Sequence, residues 1–239
     1  MDYRFKTEPY EHQLHALGAS HNKENFALFM EMGTGKSKVL VDNIAMLYDK
    51  GKINAALIVA PKGVYRNWER QEIPTHMPEH IVHNIVTWSP STTKKQQKEN
   101  LKLFKHGDQL TIFLMNIEAF STKKGLDIAQ RFLLAHQTLM AIDESTTIKS
   151  PTARRTKNVL KLRNYAKYRR ILTGSPVTKS PLDLYTQCYF LDPHYLDFSS
   201  YYTFRNRYAS MVDRNVGSHS FKLVTGYVRL DELNSKLNN

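Results

Sequence analysis

Two glycines, a lysine and a hydroxyl fall within the stretch Glu31-Met32-Gly33-Thr34-Gly35-Lys36-Ser37. Glycines at this spacing let the backbone turn tightly enough for its N–H groups to converge on one anion. A lysine at the turn supplies a mobile positive charge, and a serine hydroxyl is a hard oxygen ligand for a divalent cation. Together these types can grip a phosphate chain, with Lys36 reaching the outer phosphates and Ser37 holding Mg²⁺. The strict spacing of such loops puts a further glycine where Met30 stands, so only a compact Gly-x-Gly-Lys-Ser core is present. A glycine-rich turn capped by Ser37, with Lys36 solvated, is the competing reading of the heptapeptide alone. A second reactive pair, Asp143-Glu144, lies far downstream. One carboxylate can hold Mg²⁺ while its neighbour orients and deprotonates a water. Phosphoryl transfer asks chiefly for placement and charge neutralisation, so these few groups suffice for it.

Such groups need elements to position them. Phe26-Ala27-Leu28-Phe29-Met30 reads as a buried strand running into the glycine loop, and Val39, Leu40, Ile44, Ala45 and Leu47 follow at helical spacing. A helix starting there adds partial positive charge where phosphates would sit. Further strands are expected at 55–60, 81–86, 110–117, 138–142 and 170–172, and further helices at 9–18, 91–106, 126–136 and 152–166. Short apolar strands alternating with helices predict an α/β fold with a mostly parallel sheet and helices on both faces. Ligands of such sheets bind beyond the carboxyl ends of the strands. The glycine loop, Asp143-Glu144 and Thr173-Gly174-Ser175 all follow strand ends, so one crevice is expected to hold all three. In the first helix, Tyr10 and Gln13 have the chemistry to read the face and edge of an adenine; a surface helix packing Leu14 and Leu17 is the alternative.

The 239 residues are 41% hydrophobic and 23% charged, enough for one large domain with a sizeable core. Formal net charge is +12, which points to a polyanionic partner. Between Lys149 and Arg170 lie Arg154, Arg155, Lys157, Lys161, Arg163, Lys167 and Arg169 with no acid among them, so the helix expected there is either a nucleic-acid track or a solvated face. The single cysteine, Cys188, excludes an intramolecular disulfide and fits a reducing compartment. Met1 to Lys6 lacks the apolar centre of a signal peptide, and no apolar run approaches the roughly 20 residues of a membrane span. A soluble, intracellular protein of cytoplasm or nucleoid, without a membrane partner, is expected. The aromatic run 195–208 is expected to pack on the core within a less regular extension over 193–239. The histidines have no cysteines at zinc-ligand spacing.

In their order, these motifs resemble the first RecA-like domain (DEAD/DEAH-type) of superfamily 2 helicases, in the Swi/Snf-type, chromatin-remodeller-like branch of DNA translocases. Pro9-Tyr10 to Gln13 resembles the adenine-reading Q element, Met32 to Ser37 motif I, and Ala60-Pro61-Lys62 through Asn67-Trp68 motif Ia. Asn116-Ile117-Glu118 falls where motif Ib is expected, Asp143-Glu144-Ser145 through Ile148-Lys149 resembles motif II, and Leu172 to Val177 motif III. The resemblance implies a P-loop NTPase fold over 1–192, carrying ATP and Mg²⁺, with 193–239 an extension packed upon it. It assigns ATP to Tyr10, Gln13 and Met32-Gly33-Thr34-Gly35-Lys36-Ser37, the metal to Ser37 and Asp143, and catalysis to Glu144 and Lys36. It assigns coupling to Thr173, Gly174 and Ser175, and nucleic-acid contact to Lys62, Asn116 and Lys149. Double-stranded DNA is the expected partner. Thr225-Gly226-Tyr227 and Leu230 to Leu233 resemble the first-domain extension, so a second RecA-like domain is expected from a longer chain or a partner protein. Without it, hydrolysis is expected to be slow or absent. Two departures stand out: Thr146 occupies a place where the family often has His, and the acid three residues after Trp68 is displaced by one, to Glu72. A non-hydrolysing nucleic-acid or partner-binding module, and half of an RNA helicase, are the alternatives.

Overall fold

In the computed structural model, residues 3–91, 93–105, 107–216 and 219–237 are described. Met1, Thr92, His106 and the last residues of the expected extension lie outside them. The chain runs α1 (Glu11–Ser20), β1 (Asn25–Phe29), α2 (Lys36–Asp49), β2 (Ala55–Ala60), α3 (Tyr65–Asn67), α4 (Ile73–His76), β3 (His83–Thr87), α5 (Lys94–Leu101), β4 (Leu110–Asn116) and α6 (Lys123–Ala135). It continues with β5 (Thr138–Asp143), α7 (Arg154–Leu162), β6 (Tyr168–Thr173), α8 (Leu184–Leu191), α9 (Tyr201–Tyr208), β7 (Ala209–Val216), β8 (His219–Tyr227) and α10 (Leu230–Leu237).

The first six strands form one sheet in the order β1-β6-β5-β2-β4-β3, every neighbour parallel. Period-2 alternation sends the apolar side chains of each central strand to two faces. Ala56, Ile58, Ile112, Leu114 and Ala141 meet Leu17 of α1, the α2 face from Val39 to Leu47, and Trp68. Leu57, Val59, Phe113, Met115 and Met140 meet Phe132 of α6, Val159 of α7 and Phe190 of α8. Burial on both faces explains why β2 reads Ala-Ala-Leu-Ile-Val-Ala, with every residue buried.

The helix expected at 91–106 is shorter, since α5 ends at Leu101 and a 3₁₀ turn follows. A 3₁₀ turn over Ile117–Ser121 follows β4, and Gly125 of α6 packs so close to its Ala119 carbonyl that a Cβ would sit 2.2 Å from it. The extension is more regular than its sequence texture suggests. Helix α9 opens on a Ser200/Thr203 capping box, and β7 and β8 pair antiparallel. Phe204 and Tyr208 are fully buried with Leu184, Tyr185 and Leu233, so these aromatics pack as a small separate core.

Candidate nucleotide and nucleic-acid site

The register of the sheet sets the site. Phe29 of β1 lies opposite Thr173 of β6, Leu172 of β6 opposite Asp143 of β5, and Ala60 of β2 opposite Asn116 of β4. The segments leaving these strands therefore emerge along one edge. In order they are the glycine loop, the Thr173–Ser175 turn, Asp143-Glu144, the Lys62 loop and Asn116. The loops are in contact as well as in line. A Cβ on Gly174 would come within 3.2 Å of the Met32 backbone nitrogen, so a side chain there would press on the glycine loop.

The glycine loop turns through two left-handed residues, Gly33 at φ 78° and Gly35 at φ 81°. Helix α2 begins directly after, at Lys36. The Lys36 ammonium lies back over the loop, donating to the Met30 and Glu31 carbonyls, both at 2.9 Å. The loop is braced from outside by α1. The Gln13 side chain donates to the Thr34 carbonyl at 3.0 Å and accepts from the Tyr10 backbone N–H at 3.0 Å. His12 Nε2 also lies 2.9 Å from the Thr34 carbonyl. The Tyr10 ring is 71% exposed and stacks on His12.

Across the edge, the Asp143 carboxylate is held at both oxygens. Oδ1 accepts the Glu144 backbone N–H at 3.0 Å, and Oδ2 accepts the Trp68 indole N–H at 3.0 Å. Burial pushes the Asp143 carboxyl up to about 6; the Trp68 hydrogen bond opposes that rise. Glu144 has left-handed backbone, φ 49°, at the bend that points the chain out of the sheet. Behind this bend, Ser145 donates to Gln187 Oε1 at 2.6 Å, and Gln187 Nε2 donates to the Pro176 and Asp183 carbonyls, each at 2.8 Å. Gln187 is fully buried and joins the loop after β5 to the loop after β6. Thr173 Oγ1 accepts the Ser175 N–H at 3.2 Å, fixing that turn.

The residues expected to touch nucleic acid are spread more widely. Lys62 is exposed at the end of β2, and Asn116 at the end of β4 donates to Glu118 at 3.0 Å. Lys149 is engaged within the protein: it donates to Thr178 Oγ1 and lies 3.6 Å from Asp183 Oδ2. Arg154, Lys157 and Lys161 form one exposed stripe of α7 at i, i+3 and i+7 spacing.

Two contributors carried no sequence signal for their roles. Gln187 sits in an apolar helix whose pattern marks only burial. Trp68 is legible as a core aromatic, but its acceptor lies 75 residues away. The displaced acid after Trp68 coincides with a π turn over Trp68–Glu72, in which the Ile73 amide bonds the Trp68 carbonyl five residues back. One added residue per turn is what such a turn accommodates, and Glu72 stays in place to accept from Asn67 at 3.1 Å.

A RecA-like α/β core, with a glycine-lysine loop and an acidic pair at the carboxyl edge of its sheet, is the class that fold and site define. The chain belongs to the SNF2-related domain family, whose profile matches residues 12–237. The chromatin-remodeling ATPase INO80 of Debaryomyces hansenii is 28% identical over 176 residues, covering 72% of this chain and 12% of that protein. The ATP-dependent helicase fft3 of Schizosaccharomyces pombe is 24% identical over 170 residues, covering 70% of this chain and 17% of its own. Chromodomain-helicase-DNA-binding protein 6 of Mus musculus is 25% identical over 198 residues, 80% of this chain and 7% of that one. The chain thus spans a small part of these curated relatives. The fold matches a Sulfolobus solfataricus SWI2/SNF2 ATPase core solved in complex with dsDNA, with a TM-score of 0.66 and 21% identity over 87% of this chain and 40% of that chain. Among the described residues, no helix is long and apolar enough to cross a membrane.

Proposed function

We propose that this chain is the first motor domain of a nucleic-acid-dependent ATPase, a double-stranded DNA translocase or helicase working inside the cell. The observation that carries the reading is the shared carboxyl edge, where the glycine loop, Thr173–Ser175 and Asp143-Glu144 lie on adjacent strands.

Bound ATP with Mg²⁺ supplies the scissile phosphoanhydride and the charge that polarises it. The donor set fits: left-handed glycines open a cradle of N–H groups, Ser37 and Asp143 offer hard oxygens, and the α2 N-terminus faces the same loop. Lys36 exchanges the Met30 and Glu31 carbonyls for phosphate oxygens. Glu144 orients the attacking water and takes its proton. Thr173, Gly174 and Ser175 sense the contents of the loop that Gly174 touches. Lys62, Asn116 and Lys149 meet the phosphodiester backbone, which fixes position without reading sequence; Lys149 must first leave Asp183. The names of the relatives and the dsDNA in the structural neighbour support this partner. A second RecA-like domain, in a longer chain or a partner, would supply the arginine that is worth about 10³–10⁵ in rate.

The test is ATP hydrolysis with and without duplex DNA, on this chain and on any longer native version. Slow turnover by this chain, and DNA-stimulated turnover by the longer one that Lys36→Ala and Glu144→Gln abolish, is the expected result. Hydrolysis that survives Glu144→Gln in the longer protein would overturn it. The exposed stripe on α7 favours one further reading, a module that binds nucleic acid without turnover. That module predicts affinity indifferent to ATP, falling with salt at a slope of about −0.9 per phosphate contact.

A further inference from the structure

Trp68 has a position that burial alone does not explain. Its ring is 1% exposed within the core on the α2 face of the sheet, yet its N–H reaches the edge and meets a carboxylate, not a backbone carbonyl. A buried indole N–H needs an acceptor, and a carboxylate makes the stronger bond. With Glu144 N–H on the other oxygen, this bond stops the Asp143 carboxylate from rotating.

The other end of the same segment is free to meet a ligand. Lys62, Gly63 and Val64 are exposed. The Val64 and Tyr65 amides bond the Pro61 carbonyl at 2.9 and 3.0 Å, and the Asn67 amide bonds the Val64 carbonyl at 2.7 Å. This unbroken chain of backbone bonds makes loop and helix start one body. The π turn begins at Trp68 itself, and turns of this kind collect at functional sites. A shift passed along this segment would act on a bond of 3.0 Å, which weakens steeply with distance and angle.

We propose that Trp68 is a positioning residue: its indole N–H fixes the Asp143 carboxylate for Mg²⁺ and relays to it the placement of the Lys62–Val64 loop, so that nucleic acid on the loop adjusts the metal site. The inference rests on the ATP and DNA assignments made above.

Trp68→Phe keeps the ring and removes the donor. Binding of a fluorescent ATP analogue is measured with Mg²⁺ and with chelator, each with and without a duplex DNA. The relay predicts that the gain in affinity from Mg²⁺ falls about tenfold or more in the variant, that chelator-state affinity holds, and that DNA no longer alters the Mg²⁺ gain. A purely structural tryptophan would lower both affinities together or neither, and either result overturns the relay. A second measurement leaves Trp68 intact, should the variant fail to fold. In Trp88→Phe, Trp68 is the remaining one of the two tryptophans. Its emission is expected to respond to Mg²⁺ with a non-hydrolysable ATP analogue and separately to duplex DNA. Silence in a protein shown to bind both overturns the inference. Wild-type protein that binds no nucleotide under any condition overturns the ATP reading itself, and the relay falls with it.

Discussion

The side-chain amide of Gln13 is engaged at both ends, donating to the Thr34 carbonyl at 3.0 Å and accepting from the Tyr10 amide at 3.0 Å. Through it, α1 braces the glycine loop. Gly35 shows how tight the brace is, since a Cβ there would lie 2.2 Å from Gln13 Nε2. Gln13→Ala is expected to weaken ATP binding by about 1 kcal/mol, the usual worth of such a bond. Because the loop serves any triphosphate, GTP binding should fall in step. A competition titration with both nucleotides separates this from adenine selection, in which only the ATP preference would drop.

Glu144 carries left-handed backbone that a side chain adopts at a cost of about 1 kcal/mol or more. Glu144→Gly should therefore raise stability by about 1 kcal/mol, while Glu144→Gln leaves it near wild type. Both should remove hydrolysis in a two-domain protein. Chemical denaturation of the two variants tests the first part; equal stability would show that the bend is unstrained.

Gln187 is the buried link between the loops after β5 and β6. Gln187→Leu keeps the volume and leaves the Ser145 hydroxyl and the Pro176 carbonyl without their partner. A loss of about 2 kcal/mol is expected, since buried polar groups left unpaired bear the full desolvation cost. Gln187→Glu sets a buried carboxylate against the Pro176 and Asp183 carbonyl oxygens, so it should destabilise at least as much as Gln187→Leu at neutral pH and recover in part as pH falls and the carboxyl takes up a proton.

Arg170 is fully buried in β6, and burial pushes its guanidinium down to about 10. It donates to Asn43 and to the carbonyls of Ser20, Lys23, Glu24 and Arg169, which ties the turn before β1 to the sheet. Arg170→Met should cost at least about 3 kcal/mol, because several carbonyls lose their donor at once. A thermal melt reads this directly, and a variant within about 1 kcal/mol of wild type would contradict it.

His76 is half-buried at the end of α4 and bonded to Thr7 at 2.8 Å. Burial, then the charge of Lys38, holds its imidazole below the ordinary 6.5. A base with a lowered folded-state pKa favours the folded state when neutral. Its contribution is complete above pH 6.5 and declines as pH falls from there toward the lowered value. Denaturation midpoints at pH 8 and pH 5.5 should converge in His76→Asn relative to wild type.

The sequence by itself determined much of the core and the chemistry that could sit at its edge. Apolar runs such as Ala55 to Ala60 and Leu139 to Ile142 read as strands covered on both faces, and their alternation with helical patterns reads as a mostly parallel sheet. The compact loop from Gly33 to Ser37 and the pair Asp143-Glu144 are local patterns, readable because their chemistry depends on neighbours in the chain. The regular structure of the extension escaped that reading, because the hairpin of β7 and β8 has mixed polar faces and little period. Only the tertiary structure decided which groups brace the site. Gln13 reaches Thr34, Trp68 reaches Asp143 and Gln187 joins two loops over separations of 21, 75 and 42 residues. A buried donor takes whichever acceptor the packing brings within about 3 Å, and no spacing along the chain encodes that choice.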